Sequence, residues 1–215
     1  MTEQINILVA DDHAVVRTGI SAWIASEPDL VLSGEAADGE EAVAKALELQ
    51  PDVILMDLVM PIKDGIEAIK EIVQVNPDAR ILVITSFSDK DKAIQAIKAG
   101  AMGFMMKDTS PEGMLQAIRA VQQGKPWLSN EITRMLMHEQ RLTRESISPT
   151  DHLTDREVDV LKLIAQGLSD NDIADQLSVS KATVRYHISN ILAKLNLENR
   201  TQAALYAIRE GYVSI

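Results

Sequence analysis

The chain has 215 residues, 46% of them hydrophobic and 25% charged, with a net charge of −11 and no cysteine. That length suffices for one large domain or two small ones with their own cores, and the missing cysteine excludes a disulfide framework, a thiolate nucleophile and a cysteine-based zinc site. The opening MTEQINILVADD fits neither a signal peptide nor a membrane span, and no apolar run approaches ~18 residues, so a cytoplasmic protein without a membrane partner is expected.

Through residue 124, short β-rich apolar runs alternate with longer amphipathic stretches. Strands are expected at 5–10, 30–36, 52–57, 81–86 and 103–107. Helices are expected at 13–26, 39–49, 64–75, 89–99 and 111–123, where apolar residues recur every three or four positions; Met114, Leu115, Ile118 and Val121 form one such stripe. Strict alternation implies a doubly wound parallel sheet covered on both faces, with ligands at the carboxyl ends of its strands. After Gly124 the alternation stops, and residues 125–151 read as a helix-prone joint that runs into a polar linker. From 153 onward only short helices are expected, at 155–166, 170–177, 181–195 and 201–210, with Thr154, Ser169, Ser180 and Thr201 as N-caps. Four such helices suit a helix-turn-helix domain over 152–215, behind a first domain over 1–124.

Charge is unevenly placed. Residues 1–124 carry 20 acids against 10 bases, whereas Lys181, Arg185, Lys194 and Arg200 face only Glu198 between 180 and 200. An acidic chain can therefore still carry one basic face.

In the first half, every strand predicted to carry chemistry ends in a polar group. Asp11 and Asp12 follow the first strand, Asp57 ends the third, Thr85 and Ser86 end the fourth, and Lys107 ends the fifth. Three carboxylates so placed would repel one another unless a cation joined them, and Mg²⁺ with oxygen ligands resolves that conflict. Nucleophile, metal, movable ammonium and hydroxyl donor are what phosphoryl transfer to a carboxylate requires. One aspartate at a strand end is commonly only a cap or turn former.

The motifs VADDH, ILMDLVMPIKDG, ILVITS and GFMMKD make residues 1–124 resemble a response-regulator receiver domain. The resemblance implies a flavodoxin-like five-stranded fold with Asp57 as phosphoacceptor and a histidine kinase as donor. It implies Mg²⁺ held by Asp12, Asp57 and the backbone carbonyl of Val59, with Asp11 acting through water. Thr85 would bind the phosphoryl group and Lys107 would pair with it. Thr85, Ser86 and Phe104 take switch positions, although Phe104 reads equally as a core aromatic. Val59 and Phe87, which would flank the phosphoryl group, are both apolar, so self-dephosphorylation is expected to be slow.

In SKATVRYHISNILAKLN (180–196), Val184, Ile188, Ile191, Leu192 and Leu195 form an apolar stripe, with Arg185, Tyr186 and Ser189 on an adjoining face. Such a helix fits the DNA major groove, while Lys181, Thr183, Lys194, Arg200 and Thr201 could hold phosphates; an ordinary solvated face has the same spacing. LTDREVDVL, DIADQLSVSKATVRYHISNIL and NRTQAA resemble the LuxR-type helix-turn-helix of the NarL/FixJ response regulators. The resemblance implies a scaffold helix at 170–177 and a recognition helix at 181–195 bearing Arg185, Tyr186 and Ser189 toward the bases. It also implies double-stranded promoter DNA and RNA polymerase as partners, a receiver that covers or misorients the recognition helix, and dimerisation on phosphorylation. Helices 13–26, 111–123 and 201–210 are the dimer surfaces it suggests. His13 reads as a cap or a neighbour of the acidic group, His187 as a phosphate contact or packing, and Trp23 and Trp127 as packing.

A phosphohydrolase of the haloacid-dehalogenase type needs a second acid where Val59 stands. A ligand-sensing regulator has no use for Asp11, Asp12, Asp57, Thr85 and Lys107 together. Neither rival accounts for the whole pattern; a regulator that works without phosphorylation would leave the pocket idle.

Overall fold

The computed structural model describes residues 4–86, 90–129, 132–135 and 153–213. Its first part is a five-stranded parallel sheet of β1 (Ile5–Ala10), β2 (Leu30–Ala36), β3 (Val53–Met56), β4 (Ile81–Thr85) and β5 (Gly103–Met106), in the order β2-β1-β3-β4-β5. Period-two alternation sorts the strand residues between two buried faces. Leu8, Ile54, Met56, Ile81, Val83 and Phe104 pack on one side under α2 (Gly39–Leu49), α3 (Gly65–Val75) and α4 (Lys90–Ala99). Ile7, Val9, Leu55, Leu82, Ile84 and Met105 pack on the other under α1 (Ala14–Ser26) and α5 (Pro111–Gln122). Every expected strand and helix of this half is present, with ends moved by a residue or two, as helix and strand ends generally are.

The strand order reverses between β1 and β3, opening a crevice at their carboxyl ends. The loop from β3 to α3 turns back tightly beneath it. Gly65 donates its backbone N–H to Leu58 O at 3.0 Å. A Cβ there would lie 2.0 Å from Asp57 O, so only glycine lets the helix start this close to the strand end.

The second part consists of α6 (Asp155–Ala165), α7 (Asp170–Leu177), α8 (Lys181–Leu195) and α9 (Arg200–Arg209) around a core that includes Val160, Leu161, Ile164, Ile173, Val184 and Ile191. Thr154 with Glu157 and Ser169 with Asp172 close complete capping boxes, and Ser180 caps α8. Ser178, left-handed at φ 54°, ends α7 and makes the short turn into α8. One expected cap is corrected. Thr201 lies inside the first turn of α9, and Asn199 is the N-cap, its side chain accepting from Gln202 N at 3.0 Å. An Asn side chain reaches the N3 amide from this position, so the helix starts one residue sooner than expected.

Of the joint, Trp127 pairs with Gly103 beside β5 and packs with the α1–α5 face, and Trp23 joins it there. Phe104 is buried in the α2–α4 core. Residues 132–135 are helical, and Ile132 joins the same core. The polar linker near 143–151 lies outside the described residues.

The two parts touch. Leu205 of α9 enters the α2–α4 core cluster, and the backbones of Gly124 and Gly167 meet so closely that a Cβ on Gly124 would stand 2.3 Å from Gly167 O. Both glycines have positive φ, 72° and 85°, at helix ends where the chain must turn.

Candidate functional site

The crevice between β1 and β3 gathers the acids that chain position alone predicts there. Asp11 is fully buried and Asp57 is 3% exposed. Asp57 Oδ1 accepts from Leu58 N at 2.7 Å, and its Oδ2 accepts from Lys107 Nζ at 2.7 Å. The same ammonium meets Asp11 Oδ2 at 2.6 Å, so Lys107 bridges two strand ends. Burial pushes the Lys107 ammonium down, and its bonds to Asp11 and Asp57 override that, leaving its pKa above the ordinary value.

Asp12 and His13 complete the cluster. His13 N donates to Asp11 Oδ1 at 2.8 Å, and His13 Nδ1 lies 2.7 Å from Asp12 Oδ1. His13 takes the N-cap position of α1 without a side-chain capping bond, so its role as a neighbour of the acids stands and its role as a cap falls away. Ligand atoms of Asp11, Asp12, His13 and Asp57 all lie within 4.8 Å of one another. Three carboxylates facing one ammonium leave surplus negative charge in a low-dielectric crevice. That donor set fits a hard divalent cation such as Mg²⁺, which takes oxygen ligands in preference to imidazole.

Thr85 is buried at the end of β4, and its carbonyl accepts from Lys107 N at 2.9 Å, which ties the two residues together through the backbone. Ser86 is exposed just beyond it. Val59 is 41% exposed in the β3–α3 loop, and Phe87 lies outside the described residues.

On the second part, Val184 and Ile191 are buried and Ile188, Leu192 and Leu195 partly so, as the stripe predicts. Arg185, Tyr186 and Ser189 are exposed on α8, and Tyr186 stands edge-on to His187 at 5.8 Å between ring centres. His187 Nδ1 is buried without a hydrogen-bond partner. Lys181 and Thr183 lie at the start of α8, where the Thr183 and Ser180 hydroxyls bond at 2.8 Å.

The remaining expected phosphate contacts are engaged elsewhere. Lys194 Nζ pairs with buried Glu157 at 2.8 Å, and Thr201 is buried. Arg200 reaches Asp78 of the first part at 2.7 Å, Asp170 at 2.8 Å, and Leu168 O. Burial pushes the Asp78 carboxyl up, more than the Arg200 guanidinium pulls it down. Asp170 also accepts from Arg185 Nε at 3.1 Å. These partners lie up to 122 residues away in sequence, which is why spacing does not reveal them. Arg185, Ile188, Ser189 and Leu192 line a cavity of about 310 Å³ whose opposite wall includes Val73, Pro77 and Met102. The face of α8 that carries Arg185 and Ser189, two of the residues expected to face the bases, therefore looks onto the first part.

Residues 7–119 match the family described as "Response regulator receiver domain", and residues 151–207 match "Bacterial regulatory proteins, luxR family". The chain belongs to the two-component response regulators that join a receiver to a LuxR-type DNA-binding domain. It is 43% identical to the transcriptional regulatory protein LiaR of Bacillus subtilis over 98% of this chain and 100% of that protein. It is 37% identical to the response regulator protein VraR of Staphylococcus aureus over 97% and 99% of the two chains. Among solved structures it is similar to the response regulator ChrA of a heme-sensing two-component system, with 31% identity, 98% and 99% coverage and a TM-score of 0.53. A structure of two RcsB dimers bound to two parallel DNAs matches at 26% identity, with 96% and 100% coverage and a TM-score of 0.56. No described helix is long and apolar enough to cross a membrane.

Proposed function

We propose that a partner histidine kinase phosphorylates Asp57, and that the phosphorylated chain pairs into a dimer that binds promoter half-sites through α8. The carrying observation is the buried Asp57 carboxylate, held by Lys107 at 2.7 Å beside two further acids at the sheet's switch point. In this reading residues 1–124 are the receiver, 125–151 the linker and 152–215 the DNA-binding domain of a cytoplasmic regulator, with RNA polymerase as a further partner.

An Asp57 carboxylate oxygen attacks phosphorus, and the bond from phosphorus to the donor's imidazole nitrogen breaks as the new P–O bond forms. Lys107 pairs with the incoming phosphoryl oxygens, and the Thr85 hydroxyl donates to one of them. Asp12, Asp57 and the Val59 carbonyl would hold Mg²⁺ directly and Asp11 through water. The bound ion supplies charge neutralisation for the phosphoryl oxygens. Val15 and Ile62, 86% and 78% exposed beside the crevice, offer the donor an apolar rim.

On the DNA side, Arg185, Tyr186 and Ser189 read base edges, while Lys181, Thr183, Lys194, Arg200 and Thr201 lie along the backbone contacts. Paired half-sites are commonly about one helical turn apart. The buried state of Thr201 and the ion pairs of Arg200 and Lys194 mean that these three reach phosphate only after rearrangement. Gel filtration with light scattering tests the switch. Beryllofluoride with Mg²⁺ should convert wild-type monomer to dimer and leave Asp57→Ala unchanged, whereas a wild type that binds the mimic and stays monomeric refutes dimerisation as the output.

The only chemistry expected of the receiver itself is its own phosphoryl transfer and slow phosphate loss. Apolar Val59 and Phe87 offer an attacking water nothing to bond. A Val59→Asn, Phe87→Glu double variant should lose phosphate roughly tenfold faster, a small part of what full general-base assistance can give. An unchanged half-life would refute this account of the slow rate.

A further inference from the structure

We propose that the Asn199 side chain is an interdomain catch that couples α4 of the receiver to α9 of the DNA-binding domain, with Arg200 as its second point. The inference rests on the phosphorylation reading above for its trigger but not for its geometry. Asn199 is buried, and both ends of its amide are in use. Oδ1 accepts from Gln202 N and so starts α9. Nδ2 donates across the interface to Ile97 O at 2.9 Å and Lys98 O at 2.7 Å, two carbonyls of the last turn of α4, where Ile97 O also accepts from Gly100 N at 3.1 Å. One side chain therefore closes the C-terminus of a receiver helix and the N-terminus of a DNA-binding helix.

The residue type follows from that double duty. An N-cap alone is served as well by Asp, Ser or Thr. Among the described residues, the other side chains that cap helices are Asp38, Asp64, Ser110, Ser129, Thr154, Ser169 and Ser180, none of them Asn. Only an amide of this length both accepts for its own helix and donates two bonds outward. Next to it, Arg200 clamps Asp78 of the receiver against Asp170. The contact of Leu205 with the receiver core and the abutting Gly124 and Gly167 flank the catch.

The catch sits where the receiver has reason to move. α4 connects β4, which ends in Thr85, to β5, which leads into Lys107. Drawing both residues toward a phosphoryl group on Asp57 displaces the ends between which α4 is strung. Its last-turn carbonyls then leave Asn199, and the gap between the receiver wall at Val73, Pro77 and Met102 and the α8 face bearing Arg185 and Ser189 widens enough to admit DNA. The state favoured without phosphate thus gives way because phosphate interacts differently with the two arrangements.

The test uses the full chain, whose lack of cysteine lets Lys70→Cys and Gln176→Cys carry spin labels on exposed sites of the two domains. Asn199→Ser keeps the cap on α9 and cannot reach α4; Asp78→Ala alters only the receiver side. Without phosphate, both variants should lengthen and broaden the label distance distribution. Both should also bind a duplex selected from a random-sequence pool roughly tenfold more tightly, in proportion to the larger competent fraction. Unchanged distances in both variants overturn the catch. Longer distances without tighter DNA binding uphold the catch and refute the reading that closure withholds DNA binding. The variants lie on opposite sides of the interface, so opening in both has no explanation in a single misfolded helix.

Discussion

Asp57→Ala is expected to abolish covalent phosphate uptake from acetyl phosphate while leaving the stability of the unphosphorylated chain close to that of wild type. The first half of that result follows from removing the nucleophile: Asp11 and Asp12 are near, but Asp11 is already held by Lys107 and His13, and neither ends β3 opposite Lys107. The second half follows from charge. Asp57 is one of three carboxylates converging on one ammonium, so its removal relieves like-charge repulsion as it removes one bond to Lys107, which keeps Asp11. The two effects oppose each other, and the net change in stability should stay within about 1 kcal/mol. Mg²⁺ should separate the proteins. At tenfold excess over its dissociation constant it stabilises the wild type by about 1.4 kcal/mol, and the variant, one ligand short, should gain less. Intact mass after acetyl phosphate treatment and thermal melts with and without Mg²⁺ check all three statements. A variant that still gains one phosphoryl group would move the phosphoacceptor elsewhere.

Glu157→Ala should destabilise the DNA-binding domain by about 3 kcal/mol, because it removes one partner of a buried ion pair together with half of a capping box. Glu157 Oε2 accepts from Lys194 Nζ and from Thr154 N, both at 2.8 Å. For a domain of this size the melting temperature should fall by roughly 12–24 °C. Burial pushes the Glu157 carboxyl up, but the Lys194 ammonium and the Thr154 donors outweigh it, and its pKa lies below the ordinary value of 4.5. The sign of the pH dependence follows. A carboxylate whose folded pKa is depressed contributes fully above the unfolded value and loses that contribution as pH falls through the folded one. Acid unfolding of the domain should therefore steepen below about pH 4.5 in the wild type and flatten in Glu157→Gln, as followed by helical circular dichroism. Equal acid profiles would show that the pair does not hold the domain.

That ion pair marks where sequence reasoning stops. Strand and helix positions were legible because a parallel sheet imposes near-continuous apolar runs and the helices keep their stripes, and the crevice was legible because topology puts Asp11, Asp57 and Thr85 at carboxyl ends. Capping boxes at Thr154 and Ser169 are local signals and read correctly. Lys194 reads from its helix face as a phosphate contact, and nothing local shows that Glu157, 37 residues earlier, is buried against it. Arg200 and Asn199 are the sharper cases. A local signal did exist for the cap, since Asn is among the preferred N-cap residues, but Thr201 offered a competing one two residues later. Their bonds to Asp78, Ile97 and Lys98 depend on how two domains meet, which no periodicity within either domain encodes.

The measurement that tests the whole account most directly is the affinity of the wild-type chain for a selected duplex, with and without beryllofluoride and Mg²⁺, at fixed salt. Confinement of the α8 face opposite the receiver wall without phosphate predicts that the mimic tightens binding at least tenfold and that Asp57→Ala shows no response. Equal affinity in both states, with the mimic proven bound at Asp57, would contradict the claim that the receiver pocket controls the DNA-binding face.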